Sequence, residues 1–129
     1  MLLRKLCDAS GVSSYEDEVR DIIRKEASKY ATSIEEDIMG NLIVYKKGKS
    51  RLKIMLAAHM DEVGLMIDEF TGSDKAGYIR FKKVGGIDDR VLLGKRVLVG
   101  KDKVAGVIGA KPIHLQGEDI NGNQPYQLV

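Results

Sequence analysis

The chain has 129 residues, with 21 Lys and Arg against 19 Asp and Glu, so its formal net charge is +2. Apolar residues make up 43%, charged residues 31% and aromatics 5%, and there is no Trp. This balance argues against intrinsic disorder, and against a nucleic-acid binder with a concentrated basic face and stacking aromatics.

In chain order, the spacing predicts a first helix from Leu2 to about Ala9, with Leu2, Leu3, Leu6 and Cys7 on one face. A single cysteine cannot form an internal disulfide, and its place on the apolar stripe predicts a buried structural residue. Ser10-Gly11 breaks this helix. Ser13, with Glu16 three residues later, has the pattern of a capping box for a second helix. Val19, Ile22, Ile23, Ala27 and Tyr30 recur at helical spacing, and Glu18, Arg20, Asp21, Arg24, Lys25 and Lys29 cover the opposite side. Strands are predicted at Thr32–Glu36 and Asn41–Tyr45, with Asp37 anchoring the turn before Gly40-Asn41. Lys46, Lys47, Lys49 and Arg51 surround Gly48 as a solvated hairpin turn. A strand buried on both faces is predicted at Leu52–Ala58, where Ile54–Ala58 is continuously apolar.

Of the 14 glycines, 11 lie from Gly64 onward. From Val63 the chain reads as short strands separated by turns: Val63–Phe70, Tyr78–Lys83, Arg96–Val99 and Lys103–Ile108. Gly85-Gly86 reads as a tight turn, because no Lys-Ser/Thr pair or helix start follows to make a phosphate loop. An α/β segment of 66 residues followed by a small β-barrel or β-sandwich portion is expected. No apolar run approaches the roughly 18 residues of a membrane span, and the N-terminus lacks a signal-like apolar stretch. A cytoplasmic protein, without nucleic-acid or membrane partners, is expected.

Chemistry concentrates at Ala57-Ala58-His59-Met60-Asp61-Glu62-Val63-Gly64. Ligands of open α/β sheets bind beyond the carboxyl ends of strands, where His59 lies. Residues two apart in extended chain share a side, so His59 and Asp61 can face one pocket. A metal-bound imidazole gives its second nitrogen to a carboxylate or carbonyl, the role open to Asp61. On spacing alone, a lone histidine at a strand end is more often a hydrogen-bonded structural residue than a metal ligand. A catalytic zinc needs about three protein ligands, and the only other histidine is His114, which reads as a structural or interface residue. Glycoside hydrolysis needs facing carboxyls about 5–9.5 Å apart; Asp61 and Glu62, adjacent in extended chain, point to opposite sides.

The segment Ala58-His59-Met60-Asp61-Glu62-Val63-Gly64-Leu65-Met66 resembles the first metal-binding motif of the glutamyl and tetrahedral aminopeptidases. These are binuclear-metal exopeptidases, some of which carry the label endoglucanase. Supporting matches follow in order: Leu2-Leu3 to Ser13 with Glu16, Asp37 with Gly40-Asn41-Leu42, Val84-Gly85-Gly86, Arg96-Val97, and Gly106-Val107-Ile108-Gly109 followed by Lys111-Pro112-Ile113-His114-Leu115. The resemblance covers residues 1 to about 116.

The resemblance implies that His59 is a metal ligand and that Asp61 is the catalytic-site carboxylate orienting it. It implies a site of two divalent ions, zinc or cobalt, acting on peptide substrates. It also implies that residues 1–66 are the N-terminal part of an α/β catalytic domain, and residues 67–129 part of a β-barrel dimerisation domain. The family's bridging aspartate, general-base glutamate and remaining ligands match no residue here. The chain is therefore expected to be inactive alone. Its expected partners are further copies of itself or a complementary C-terminal polypeptide. A non-catalytic interaction module is the alternative.

Overall fold

The computed structural model describes residues 1–71 and 77–110, together with the strand Gln127–Leu128. It forms two compact units, Met1–Glu62 and Val63–Val129. The first is α/β, and the described part of the second is almost wholly β.

The first unit opens with α1, Leu2–Asp8, which buries no residue. Ala9 follows in extended conformation and is buried. The predicted capping box does not form. Ser14 adopts a positive φ of 72°, and the Glu16 carboxylate accepts the Ser14 N–H at 2.8 Å. The tight turn thus takes the side chain that would have capped the helix. Helix α2 accordingly starts at Asp17 and runs to Ala27, with Asp17 and Glu18 in its first turn and Arg24 and Lys25 in its last. That distribution opposes the charges of the helix dipole at both ends. Tyr30 lies beyond the helix and is exposed.

Helix α2 buries Val19, as its periodicity requires, and also Arg20, which the pattern placed among the solvated residues. The reason is a set of partners. Arg20 donates to the Gly40 carbonyl at 2.8 Å and pairs with Asp17 at 2.6 Å and Glu36 at 3.3 Å. A buried guanidinium is tolerable when its fork is bonded in this way. Asp17 first, and then Glu36 and Glu16, hold its pKa above the ordinary value.

Those contacts join α2 to a hairpin of β1, Ser33–Glu36, and β2, Leu42–Tyr45, paired antiparallel from Ser33↔Tyr45 to Glu36↔Leu42. Asp37 anchors the connecting turn, as expected. Its carboxylate accepts the Met39 and Asn41 N–H groups, each at 2.9 Å, and the Asn41 side-chain amide at 2.8 Å. The Asn41 amide leads in holding this carboxyl below the usual range. Gly40 sits at φ +80°, and a Cβ there would lie 2.7 Å from an Arg20 nitrogen. Both the turn and the arginine therefore require glycine.

Leu52–Ala58 departs from expectation. It belongs to no strand, and Leu52, Ile54, Met55 and Leu56 are 74%, 78%, 88% and 93% exposed. A central strand needs ladders on both edges and cover on both faces, and the described residues supply neither. For the same reason Lys46–Arg51 is exposed but closes no hairpin. Beyond its far end, Glu62 forms a parallel bridge with Val12.

In the second unit the predicted strands form. They are β3 (Gly64–Thr71), β4 (Tyr78–Val84), β5 (Arg96–Val99) and β6 (Val104–Gly109), with β7 (Gln127–Leu128) added. The sheet order is β3-β4-β7-β6-β5, antiparallel throughout. A register shift between Ile67 and Glu69 interrupts the β3–β4 ladder at Asp68. Gly85 lies in the tight turn after β4, at φ +87°. Phe81, Leu92 and Ile108 form the core, with Leu65, Ile79, Ile87, Val97 and Val99 packed around them. His114 and the Lys111–Leu115 stretch lie outside the described residues.

Candidate metal centre

The site is built on the end of the extended segment. His59 carries a side chain 85% exposed, and that of Asp61 is 45% exposed. His59 Nδ1 stands 3.0 Å from Asp61 Oδ1 and 3.0 Å from the Asp61 carbonyl oxygen. Both neighbours are acceptors, so Nδ1 must carry the proton. In the neutral ring Nε2 then holds a lone pair directed away from this contact. A carboxylate and a carbonyl together fix the tautomer that a metal ligand needs. The structure thus brings together the two residues singled out by their spacing.

Glu62 is engaged elsewhere. Its Oε1 accepts the Gly11 N–H at 3.2 Å, and its own N–H donates to the Gly11 carbonyl at 2.7 Å. Glycine at position 11 permits this approach: a Cβ there would lie 2.8 Å from Val19 Cγ2 and 3.1 Å from the Met60 carbonyl oxygen. The Gly11–Glu62 contact spans 51 residues. No local pattern signals it, although the break at Ser10-Gly11 marks one partner.

Behind the site lies a pocket of about 260 Å³, lined by Leu6, Cys7, Ala9, Gly11, Val19, Ile23 and residues 59–62. Cys7 is exposed rather than buried. The apolar stripe of α1 exists, but no described residue covers it over Cys7.

Nε2 of His59 is the atom that would hold a metal ion, while Asp61 Oδ1 and Glu62 Oε1 are occupied by the contacts just described. Among the described residues, no group of three or more His, Cys, Asp or Glu could hold a metal. His59 with Asp61 would supply one ligand and its supporting carboxylate, short of the three protein ligands of a catalytic zinc.

Comparison with known proteins gives the family of the chain. The family model described as M42 glutamyl aminopeptidase matches residues 40–127. The chain is 36% identical over 120 residues to a lysyl aminopeptidase of Pyrococcus furiosus, covering 91% of this chain and 34% of that protein. The crystal structure of the TET aminopeptidase from a marine sediment archaeon, Thaumarchaeota archaeon SCGC AB-539-E09, superposes with a TM-score of 0.81 at 31% identity. That match covers 98% of this chain and 36% of the archaeal one. PhTET1-12s, described as a dodecamer, superposes with a TM-score of 0.71 at 43% identity, covering 89% of this chain and 34% of that one. The chain thus spans about a third of the length of the relatives it matches. With the family model matching over most of its length, the chain belongs to the M42 glutamyl aminopeptidase family, a family of hydrolases.

Proposed function

We propose that this chain supplies one corner of the active site of a metal-dependent aminopeptidase, which releases the N-terminal residue of peptides. His59 is assigned as a metal ligand through Nε2, and Asp61 as the carboxylate that holds its tautomer. The observation that carries this reading is the pair of 3.0 Å contacts from His59 Nδ1 to two acceptors of Asp61. The complete site is proposed to hold two divalent ions, zinc or cobalt, which supply an activated water and polarise the scissile carbonyl.

The remaining ligands and the general base are proposed to come from polypeptide beyond these 129 residues. Residues 1–66 are then the start of the catalytic domain, and residues 67–129 part of the dimerisation domain. Assembly into homo-oligomers is proposed on the dodecameric structure it resembles, and a cytoplasmic location from the lone cysteine.

Glycoside hydrolysis fits poorly. Asp61 serves His59 and Glu62 serves Gly11, so the two carboxylates do not face each other across one bond. A second reading, an interaction module or one half of a split enzyme, is favoured by the exposure of Leu52, Ile54, Met55 and Leu56.

Two measurements test the proposal. Purified chain with added zinc or cobalt is expected to leave leucine- and glutamate-p-nitroanilide intact; cleavage would overturn the assignment of the missing groups to other polypeptide. In isothermal titration, zinc is expected to bind weakly and to lose that binding in His59→Ala. Identical isotherms would remove His59 as the dominant ligand.

A further inference from the structure

A trans peptide group is planar and carries its N–H and its C=O on opposite sides. The Asp61–Glu62 peptide is trans, and both of its sides are engaged. Its N–H, on Glu62, donates to the Gly11 carbonyl at 2.7 Å. Its C=O, on Asp61, is the main-chain acceptor 3.0 Å from His59 Nδ1. Gly11 therefore orients the imidazole through one rigid plane, without touching it.

The Glu62 side chain adds a second bond to the same turn. Its Oε1 accepts the Gly11 N–H at 3.2 Å, so Gly11 is held at both of its polar groups. On its other side the turn is tied to α2, where Glu18 Oε2 accepts the Ser10 N–H at 3.0 Å. We propose that Glu62 is a positioning residue: it locks the Asp61–Glu62 peptide to Gly11, and the Asp61 carbonyl so aimed keeps the proton on His59 Nδ1 and the lone pair on Nε2.

Of the two acceptors at Nδ1, the Asp61 carboxylate is the less secure. Its side chain is 45% exposed and can rotate toward water, whereas the carbonyl moves only with the peptide plane. The His59 side chain is 85% exposed, so a fixed acceptor rather than burial must select the tautomer. Every partner in this relay belongs to this chain, from Ser10 to Glu62. The use of that tautomer for a metal rests on the aminopeptidase reading; the link from Glu62 to His59 does not.

The test reads the His59 tautomer by long-range proton–nitrogen NMR on the metal-free full chain, at a pH where imidazole is neutral. His59→Ala assigns its signal against that of His114. The parent chain is expected to hold the Nδ1–H form, and Asp61→Ala to keep it in the majority on the carbonyl alone. Adding Glu62→Ala to Asp61→Ala is expected to shift the tautomer ratio toward Nε2–H about fivefold, the worth of one hydrogen bond. Adding Glu62→Gln instead is expected to restore the ratio, because the amide oxygen accepts the Gly11 N–H as the carboxylate does. That rescue separates loss of the contact from loss of the fold. A ratio unmoved by Glu62→Ala, or moved equally by Glu62→Gln, would overturn the proposal. Zinc titration judges the ligand assignment separately, and because the tautomer is read without metal, either can fail while the other stands.

Discussion

Gly11→Ala tests the contact that positions the candidate site. The new Cβ would lie 2.8 Å from Val19 Cγ2, 3.9 Å from Val19 Cβ and 3.1 Å from the Met60 carbonyl oxygen. Carbon–carbon contacts settle at about 3.5–4.0 Å, so the approach to Cγ2 is short by roughly 0.7 Å or more. Neither neighbour can yield freely. Val19 is buried on a helix, where a β-branched side chain has one strongly preferred rotamer, and the oxygen is main chain. The Ser10–Val12 turn must therefore move outward, stretching the Gly11–Glu62 hydrogen bond, already 3.2 Å long. Overpacking of this kind costs about 1–3 kcal/mol. Loss of glycine freedom in the unfolded chain offsets about 0.4–1 kcal/mol of that. A net destabilisation of up to about 2.6 kcal/mol is expected in urea unfolding followed by circular dichroism. Gly48→Ala is the control, because a Cβ there meets nothing within 4 Å. If Gly11→Ala proves as stable as Gly48→Ala, the close packing of the turn against α2 and Met60 is wrong.

In the second unit, Ile108 is 1% exposed at the centre of the core. Ile108→Ala is expected to cost about 2–5 kcal/mol in the same urea assay, while truncating the neighbouring exposed Val107 changes stability by no more than about 0.5 kcal/mol; equal effects would displace Ile108 from the core. The Asp37 turn gives a pH test. Its carboxyl is held below the usual range chiefly by the Asn41 amide, so its contribution is complete above the unfolded value of about 3.9 and is lost as pH falls through the folded one. Asp37→Asn is expected to be less stable than the parent at neutral pH, with the difference shrinking in acid unfolding titrations. A difference that holds or widens below that range would contradict the assigned sign.

The elements that the sequence specified most plainly are those whose partners lie close along the chain. Asp37 needs only Met39 and Asn41, and β5 and β6 join through a short turn, so composition and turn residues sufficed. Prediction failed where the deciding partner is remote or absent. The Ser13–Glu16 box lost Glu16 to Ser14 because a positive φ reshaped the turn. Arg20, polar by type, is buried because Gly40 and Glu36, well along the chain, complete its bonding. Leu52–Ala58 has the composition of a central strand, but composition reports what a segment needs and not whether it is satisfied.

The candidate site divides along the same line. The His59–Asp61 pair was legible because both of its members sit within three residues, and extended geometry alone sets them on one side. The role of Glu62 was not, since its partner Gly11 lies 51 residues away. A local motif can orient an imidazole, but a catalytic zinc needs about three protein ligands, more than this motif would supply. The segment that presents His59 is also the one left without strand neighbours among the described residues. Whatever polypeptide pairs with Leu52–Met60 therefore comes to lie directly beside His59.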